Sequence, residues 1–233
     1  MWKPTILFDL DGTLTDPKEG ITRAVQYALR SYGIEEEDLD SLCPFIGPPL
    51  FDSFQEFYGF GDEQARQAIL EFQTYFKRQG MFENQVYDGM AQMLSDLKKT
   101  GVRLAVATSK PEPFAKRILE HFGLSCYFDR VCGANLDETR VRKGEVIAYA
   151  LEELDLCKEK CPDWRKEVLM VGDRKHDVQG AHEHGIPCVG VLYGYGSRTE
   201  LEAAEAEFLM EDVDMLETFL EEWSRSACLS SSL

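Results

Sequence analysis

The sequence predicts an α/β protein: a doubly wound parallel sheet, Rossmann-like and of about five core strands, carrying an inserted all-helical cap. Three observations predict it. Short apolar runs recur without polar alternation, as strands covered on both faces require. Amphipathic helical stretches separate them. One interval of about 80 residues breaks the alternation, far more than a crossover helix needs.

In chain order the first strand is TILFD, residues 5–9. The long interval follows, with helical patterns at 18–32, 49–58 and 62–79 and no convincing strand. Ten aromatic residues lie between Phe45 and Phe82, enough to give the insertion a small core of its own; an aromatic substrate pocket is the alternative reading. The alternation then resumes: strands at 102–107, 128–132, 168–172 and 188–192, helices at 89–100, 112–122, 143–154 and 174–184, with Pro111, Gly123 and Gly185 as boundary signals. Helices at 198–205 and 213–223 close the domain. The expected organisation is an α/β core from 1–15 and 87–233 and a cap from 16–86.

Composition narrows the function classes. With 44% hydrophobic and 29% charged residues, a chain of 233 can build a substantial core. Its 25 Lys and Arg stand against 42 Asp and Glu, and the formal charge of −17 disfavours nucleic acid and anionic membranes as partners. An anionic substrate would therefore need local positive charge, from a metal ion or a few basic side chains. Seven cysteines, an odd number, do not form a disulfide framework, and the closest pair, Cys157 and Cys161, lacks a second pair at zinc spacing. No run reaches a membrane span, and the start of the chain lacks a basic leader and a cleavage site; a cytoplasmic protein with reduced thiols is expected. The SACLSSSL tail is polar, and Cys228 lies too far from the end for prenylation. Oligomeric state is not readable.

The informative residues sit where strands end. The first strand runs into ILFDLDGTLTD, residues 6–16, with carboxylates at Asp9, Asp11 and Asp16. The second ends in Thr108, Ser109, Lys110, and the fourth in Gly172-Asp173-Arg174-Lys175-His176-Asp177. Any one of these acids would pass as a turn former or helix cap. Four aspartates with two hydroxyls and a lysine at one sheet edge, where open parallel sheets bind ligands, form instead an acidic crevice. Crowded carboxylates raise one another's pKa unless a cation sits among them, and hard oxygen ligands point to Mg²⁺.

These motifs, D9-L-D11-G-T13, T108-S109-K110, Lys143 opening a helix in VRKGEVI, and G172-D173-R-K-H-D177, resemble in order and spacing the four motifs of the haloacid dehalogenase superfamily. The closest resemblance is to its capped phosphatases of the phosphoglycolate phosphatase and 5′-nucleotidase-like kind. The resemblance implies a phosphomonoesterase in which Asp9 is the nucleophile that becomes an aspartyl-phosphate and Asp11 is the general acid and base. Thr108 and the backbone around Ser109 would hold the phosphoryl oxygens, and Lys143 would offset transition-state charge, although Arg140, Arg142 or Lys110 could stand in for it. Mg²⁺ would be held by Asp9, Asp11 through its carbonyl, Asp173 and Asp177, the last directly or through water. The cap would contribute substrate contacts from FIGPPL, residues 45–50, where Gly47 precedes Pro48 and Pro49.

The expected substrate is a small phosphorylated metabolite, phosphoglycolate or a nucleoside 5′-monophosphate being the leading candidates. A sugar-phosphate mutase is the neighbouring alternative, disfavoured by a cap poor in basic residues. A phospho-acceptor signalling module is the alternative from another class, disfavoured by the motif order and by the long insertion. GYGSRT at 194–199 falls after the last strand and lacks the third glycine of a dinucleotide fingerprint. His182 and His184, two apart on a helix, do not share a face, and Arg23 belongs on a solvated helix face.

Overall fold

The computed structural model describes residues 3–136, 139–156 and 164–230, the last three as backbone only. Cys157 and Cys161 lie outside the described residues, and so does the side chain of Cys228. Strand β1 (Thr5–Phe8) is buried along its whole length. It lies between β4 (Arg103–Pro111) and β6 (Val168–Gly172), with Thr5 in register with Arg103 on one side and Val168 on the other. With β5 (Arg130–Ala134), β7 (Cys188–Val191) and β8 (Phe208–Met210) they form a sheet of order β5-β4-β1-β6-β7-β8, every pairing parallel.

The chain moves outward from β1 through β4 to β5, then returns to the other side of β1 and moves outward again. The order reverses at β1, so a crevice opens at its carboxyl end. Alternate side chains of β1 point to opposite faces: Ile6 and Phe8 join one core and Leu7 the other. The first core packs helices α4 (Met90–Thr100), α5 (Glu112–His121) and α9 (Val213–Ser230), through residues such as Leu97, Ile118 and Leu216. The second packs α6 (Lys143–Glu153), α7 (Lys175–Glu183) and α8 (Arg198–Ala203), through Ile147, Val178 and Leu201.

One expectation is extended and one is corrected. The expected strands are joined by β8, three residues at an edge and too short to show periodicity, which makes a sheet of six among the described residues. The long interval is not free of strand: β2 (Thr15–Asp16) and β3 (Gln85–Val86) pair antiparallel at its two ends. Between them lie α1 (Lys18–Arg30), α2 (Leu50–Tyr58) and α3 (Asp62–Arg78), with 3-10 turns at Leu39–Phe45 and Gly80–Phe82. The two-residue ladder brings entry and exit of the insertion together beside the end of β1.

Candidate active site

The loop after β1 is wound around one carbonyl. The Asp9 N–H donates to the Val171 carbonyl at 2.9 Å, and the Leu10 carbonyl accepts from the N–H groups of Thr13, Leu14 and Thr15. Gly12 makes this possible with φ of +81°, a conformation other residues rarely adopt. Glycine is also required for space, since a Cβ there would lie 2.3 Å from Asp173 Oδ2. The result is that Asp9 and Asp11, both buried, border one cavity of about 300 Å³.

Behind Asp9 stand Asp173, at the end of β6, and Asp177, in the first turn of α7. One oxygen from each of the three lies within 4.8 Å of the others. The Thr13 hydroxyl donates to Asp173 Oδ1 at 3.1 Å and the Tyr195 N–H to its Oδ2 at 2.8 Å; the Arg174 N–H donates to Asp177 Oδ2 at 3.0 Å. Among these acids sits one ammonium. Lys143 Nζ is 2.8 Å from Asp9 Oδ1 and 2.7 Å from Asp177 Oδ1, and donates to the Ala107 carbonyl at 3.1 Å. Burial would lower the Lys143 pKa, but Asp177 and Asp9 outweigh it and hold the group charged. Burial, with Asp177 and Asp9 beside it, raises Asp173 well above the usual carboxylate range. Burial also pushes Asp177 up to about 6 against the pull of Lys143. Three buried carboxylates with one ammonium carry surplus negative charge on hard oxygen donors, a set that fits a divalent cation such as Mg²⁺.

Asp11 stands apart from this trio. Its Oδ2 pairs with Lys110 Nζ at 2.7 Å, while its Oδ1 is buried without a hydrogen-bond partner. Burial raises its pKa, and Lys110 only partly offsets that. The carboxylates two residues apart thus meet different cations, Lys143 for Asp9 and Lys110 for Asp11. Of the cations considered as substitutes for Lys143, Arg140 donates to the Gly133 carbonyl and stacks on Tyr149, and Arg142 is an exposed side chain at the rim. Thr108, 2% exposed, lies where the β4–β5 register shifts, and its hydroxyl accepts from the Lys110 N–H at 3.2 Å. Thr108 and Ser109 border the cavity beside Asp9.

Gly47 borders the same cavity from the insertion. Its loop is held to the core by Arg174, whose guanidinium donates to the Ile46 carbonyl and, through Nε, to Glu200 at 2.9 Å. The rings divide between both readings of the insertion. Phe54 stacks on Phe60 in the insertion's own core, whereas Phe45, Phe51, Phe72 and Phe76 also form the cavity wall. Arg23 pairs with Glu19 and Glu83 at the surface, His182 bonds Glu207, and His184 bonds the Gly144 carbonyl, each away from the cavity. GYGSRT has a use that its resemblance to a nucleotide fingerprint concealed. Gly194 lets this loop pass over Asp173, since a Cβ there would lie 2.4 Å from the Asp173 Cβ. The detectable signal was a glycine pair directly after a strand end; its target, an acid some twenty residues earlier, carries no sequence mark. The Lys110–Asp11 pair was likewise unread.

Fold and site together define a class. Residues 6–191 match the family described as haloacid dehalogenase-like hydrolase, and the chain belongs to that family, among its phosphatases. It is 45% identical over 218 residues to the 5′-nucleotidase of Pseudomonas aeruginosa, covering 94% of this chain and 96% of that one. It is 42% identical over 191 residues to the tyrosine-protein kinase PtkA of Mycobacterium tuberculosis, covering 82% of this chain and 62% of PtkA. The crystal structure of a predicted phosphatase from Clostridium acetobutylicum superposes with a TM-score of 0.89 at 47% identity, covering 95% of this chain and all of the other.

Proposed function

We propose that this protein is a Mg²⁺-dependent phosphomonoesterase that hydrolyses a small phosphorylated metabolite through an aspartyl-phosphate. The observation that carries the reading is the shared opening of Asp9 and Asp11 onto one cavity, with two further carboxylates behind Asp9 and apolar rings opposite. Asp9, Asp173, Asp177 and the Asp11 carbonyl would hold the ion, which when bound supplies positive charge for phosphoryl oxygens. The Asp9 carboxylate attacks phosphorus; the bond to the leaving oxygen breaks, and Asp11 gives that oxygen its proton. Asp11 then takes a proton from water as the water attacks the phosphoryl group, releasing inorganic phosphate and restoring Asp9. Lys143, already on Asp9, offsets the accumulating charge, and Thr108 and Ser109 would donate to phosphoryl oxygens. Residues 16–86 act as the cap domain, with the β2–β3 ladder as its base and the Gly47 loop reaching the substrate.

Of the two candidate substrates, the cavity chemistry favours the nucleoside 5′-monophosphate. The insertion's side of the cavity presents Phe45, Phe51, Phe72 and Phe76 together with Asp52, and among the described residues it presents no Lys or Arg. That surface suits a flat neutral ring and opposes the second acid of phosphoglycolate. The same lack of cap cations favours hydrolysis over a mutase, which must grip a second phosphate. The relative named a 5′-nucleotidase supports this choice. Phosphate release from nucleoside monophosphates and phosphoglycolate with Mg²⁺, native against Asp9→Asn, tests it. Nucleotide turnover abolished by the substitution is expected; phosphate left on a protein tyrosine, or activity surviving Asp9→Asn, would sink the reading.

A further inference from the structure

Lys110 is a buried cation for which the chemistry above provides no duty. Its side chain is 6% exposed, and its Nζ sits 2.7 Å from Asp11 Oδ2. On the other side the Nζ lies 4.5 Å from the centroid of the Phe76 ring. Phe76 belongs to α3 of the insertion, is 2% exposed, and packs against Phe72 at 5.3 Å and against Phe114 of the core helix α5 at 5.9 Å. Lys110 falls inside the register shift between Thr108 and Pro111, an irregularity of the kind that re-aims a side chain out of the sheet pattern. We propose that Lys110 is a positioning residue for Asp11, and that Phe76 makes this positioning depend on the insertion being seated on the core.

The argument is geometric. A carboxylate on a short side chain turns about two bonds, and proton transfer to a leaving oxygen needs one of its oxygens in a fixed place. The ion pair fixes Oδ2, and with Oδ1 buried and unpartnered no other side-chain contact among the described residues sets the plane of the carboxyl, so its orientation depends on Lys110. The ring face of Phe76 attracts the ammonium and shields it from water, so lifting the insertion would release both the lysine and the acid it holds.

This rests on Asp11 being the proton donor, and the test separates the two claims. In Mg²⁺, kcat/KM is measured for the most active nucleoside 5′-monophosphate, whose alkoxide leaving group needs a proton, and for p-nitrophenyl phosphate, whose phenolate does not. General acid catalysis is worth ~10²–10⁴-fold, so Lys110→Met should lower the alkyl-to-aryl ratio by about tenfold or more, and Asp11→Asn by more still. Phe76→Leu, which keeps apolar bulk but removes the ring face, should lower it about threefold, read for this variant as the ratio of kcat at saturation because Phe76 also borders the substrate cavity. Each ratio is taken within one preparation, so partial misfolding cancels. Equal losses on both substrates in Lys110→Met would overturn the positioning role and mark Lys110 as an anion contact. An unchanged ratio in Phe76→Leu would overturn the link to the insertion. Asp11→Asn with an unchanged ratio would instead remove the proton-donor reading itself.

Discussion

At the scale of residues, the site separates two identical side chains by neighbour alone. Asp9 faces Lys143 and the other two acids of the trio, while Asp11 faces Lys110 and keeps one bare oxygen. Lys143 is the only cation paired with the trio among the described residues. Lys143→Met should therefore leave Asp9 and Asp177 buried and unpaired, lowering stability by about 3–5 kcal/mol in urea denaturation, with turnover reduced by ~10²-fold or more. Gly12→Ala attacks the same site without touching a charge. It combines left-handed strain with a 2.3 Å approach to Asp173, so the loop or the Asp173 carboxylate must shift, and displacements near 1 Å cost about 10²-fold in rate. A Gly12→Ala enzyme that keeps native kcat and native Mg²⁺ affinity would show that the loop's path has no bearing on the chemistry.

At the scale of elements, the insertion carries a ring cluster of its own within a hydrophobic core that is continuous with one face of the sheet. Phe54 is fully buried, stacked on Phe60 at 5.8 Å and set edge-on to Phe45 at 5.0 Å, all within the insertion. Phe54→Ala should cost about 3–5 kcal/mol. Hydrogen exchange should report that loss in α1, α2 and α3 while β1, β4 and β6 stay protected; uniform loss would mean that insertion and sheet unfold as one unit. Periodicity made both parts legible. Continuous apolar runs such as Ile6–Phe8 and Val168–Val171 mark buried parallel strands, and helical spacing of rings marks the insertion. What periodicity cannot mark was missed: β8 with three residues, and the Thr15–Asp16 and Gln85–Val86 ladder with two each. The candidate site is legible where its chemistry would force residue type, as at Asp9, Asp11 and Asp173, which the fold gathers around the end of β1. Lys110, Arg174 and Gly194 act through partners distant in sequence, which only the fold brings near.

At the scale of the whole molecule, a chain of formal charge −17 concentrates three of its carboxylates, buried, at its substrate cavity, and folding must bear that cost until a cation arrives. The cost has a pH signature. Burial raises Asp173 well above the usual range and Asp177 to about 6, while unfolded aspartates titrate near 4. Folded protein then binds more protons than unfolded protein, so in EDTA this contribution makes stability fall as pH rises from about 4 through 6 and beyond. Mg²⁺ competes with those protons, so its stabilising increment should grow with pH, reaching about 2.7 kcal/mol at a hundredfold excess over Kd. Asp173→Asn separates the effects, because an amide can still accept from the Tyr195 N–H and bond the Thr13 hydroxyl while relieving the repulsion. In EDTA near pH 7.5 the variant should melt above the native protein and show a shallower pH slope, yet gain far less from the same Mg²⁺ concentration. A variant less stable than native in EDTA, with its Mg²⁺ increment intact, would mean that Asp173 serves as a structural hydrogen-bond acceptor and that the cation binds elsewhere.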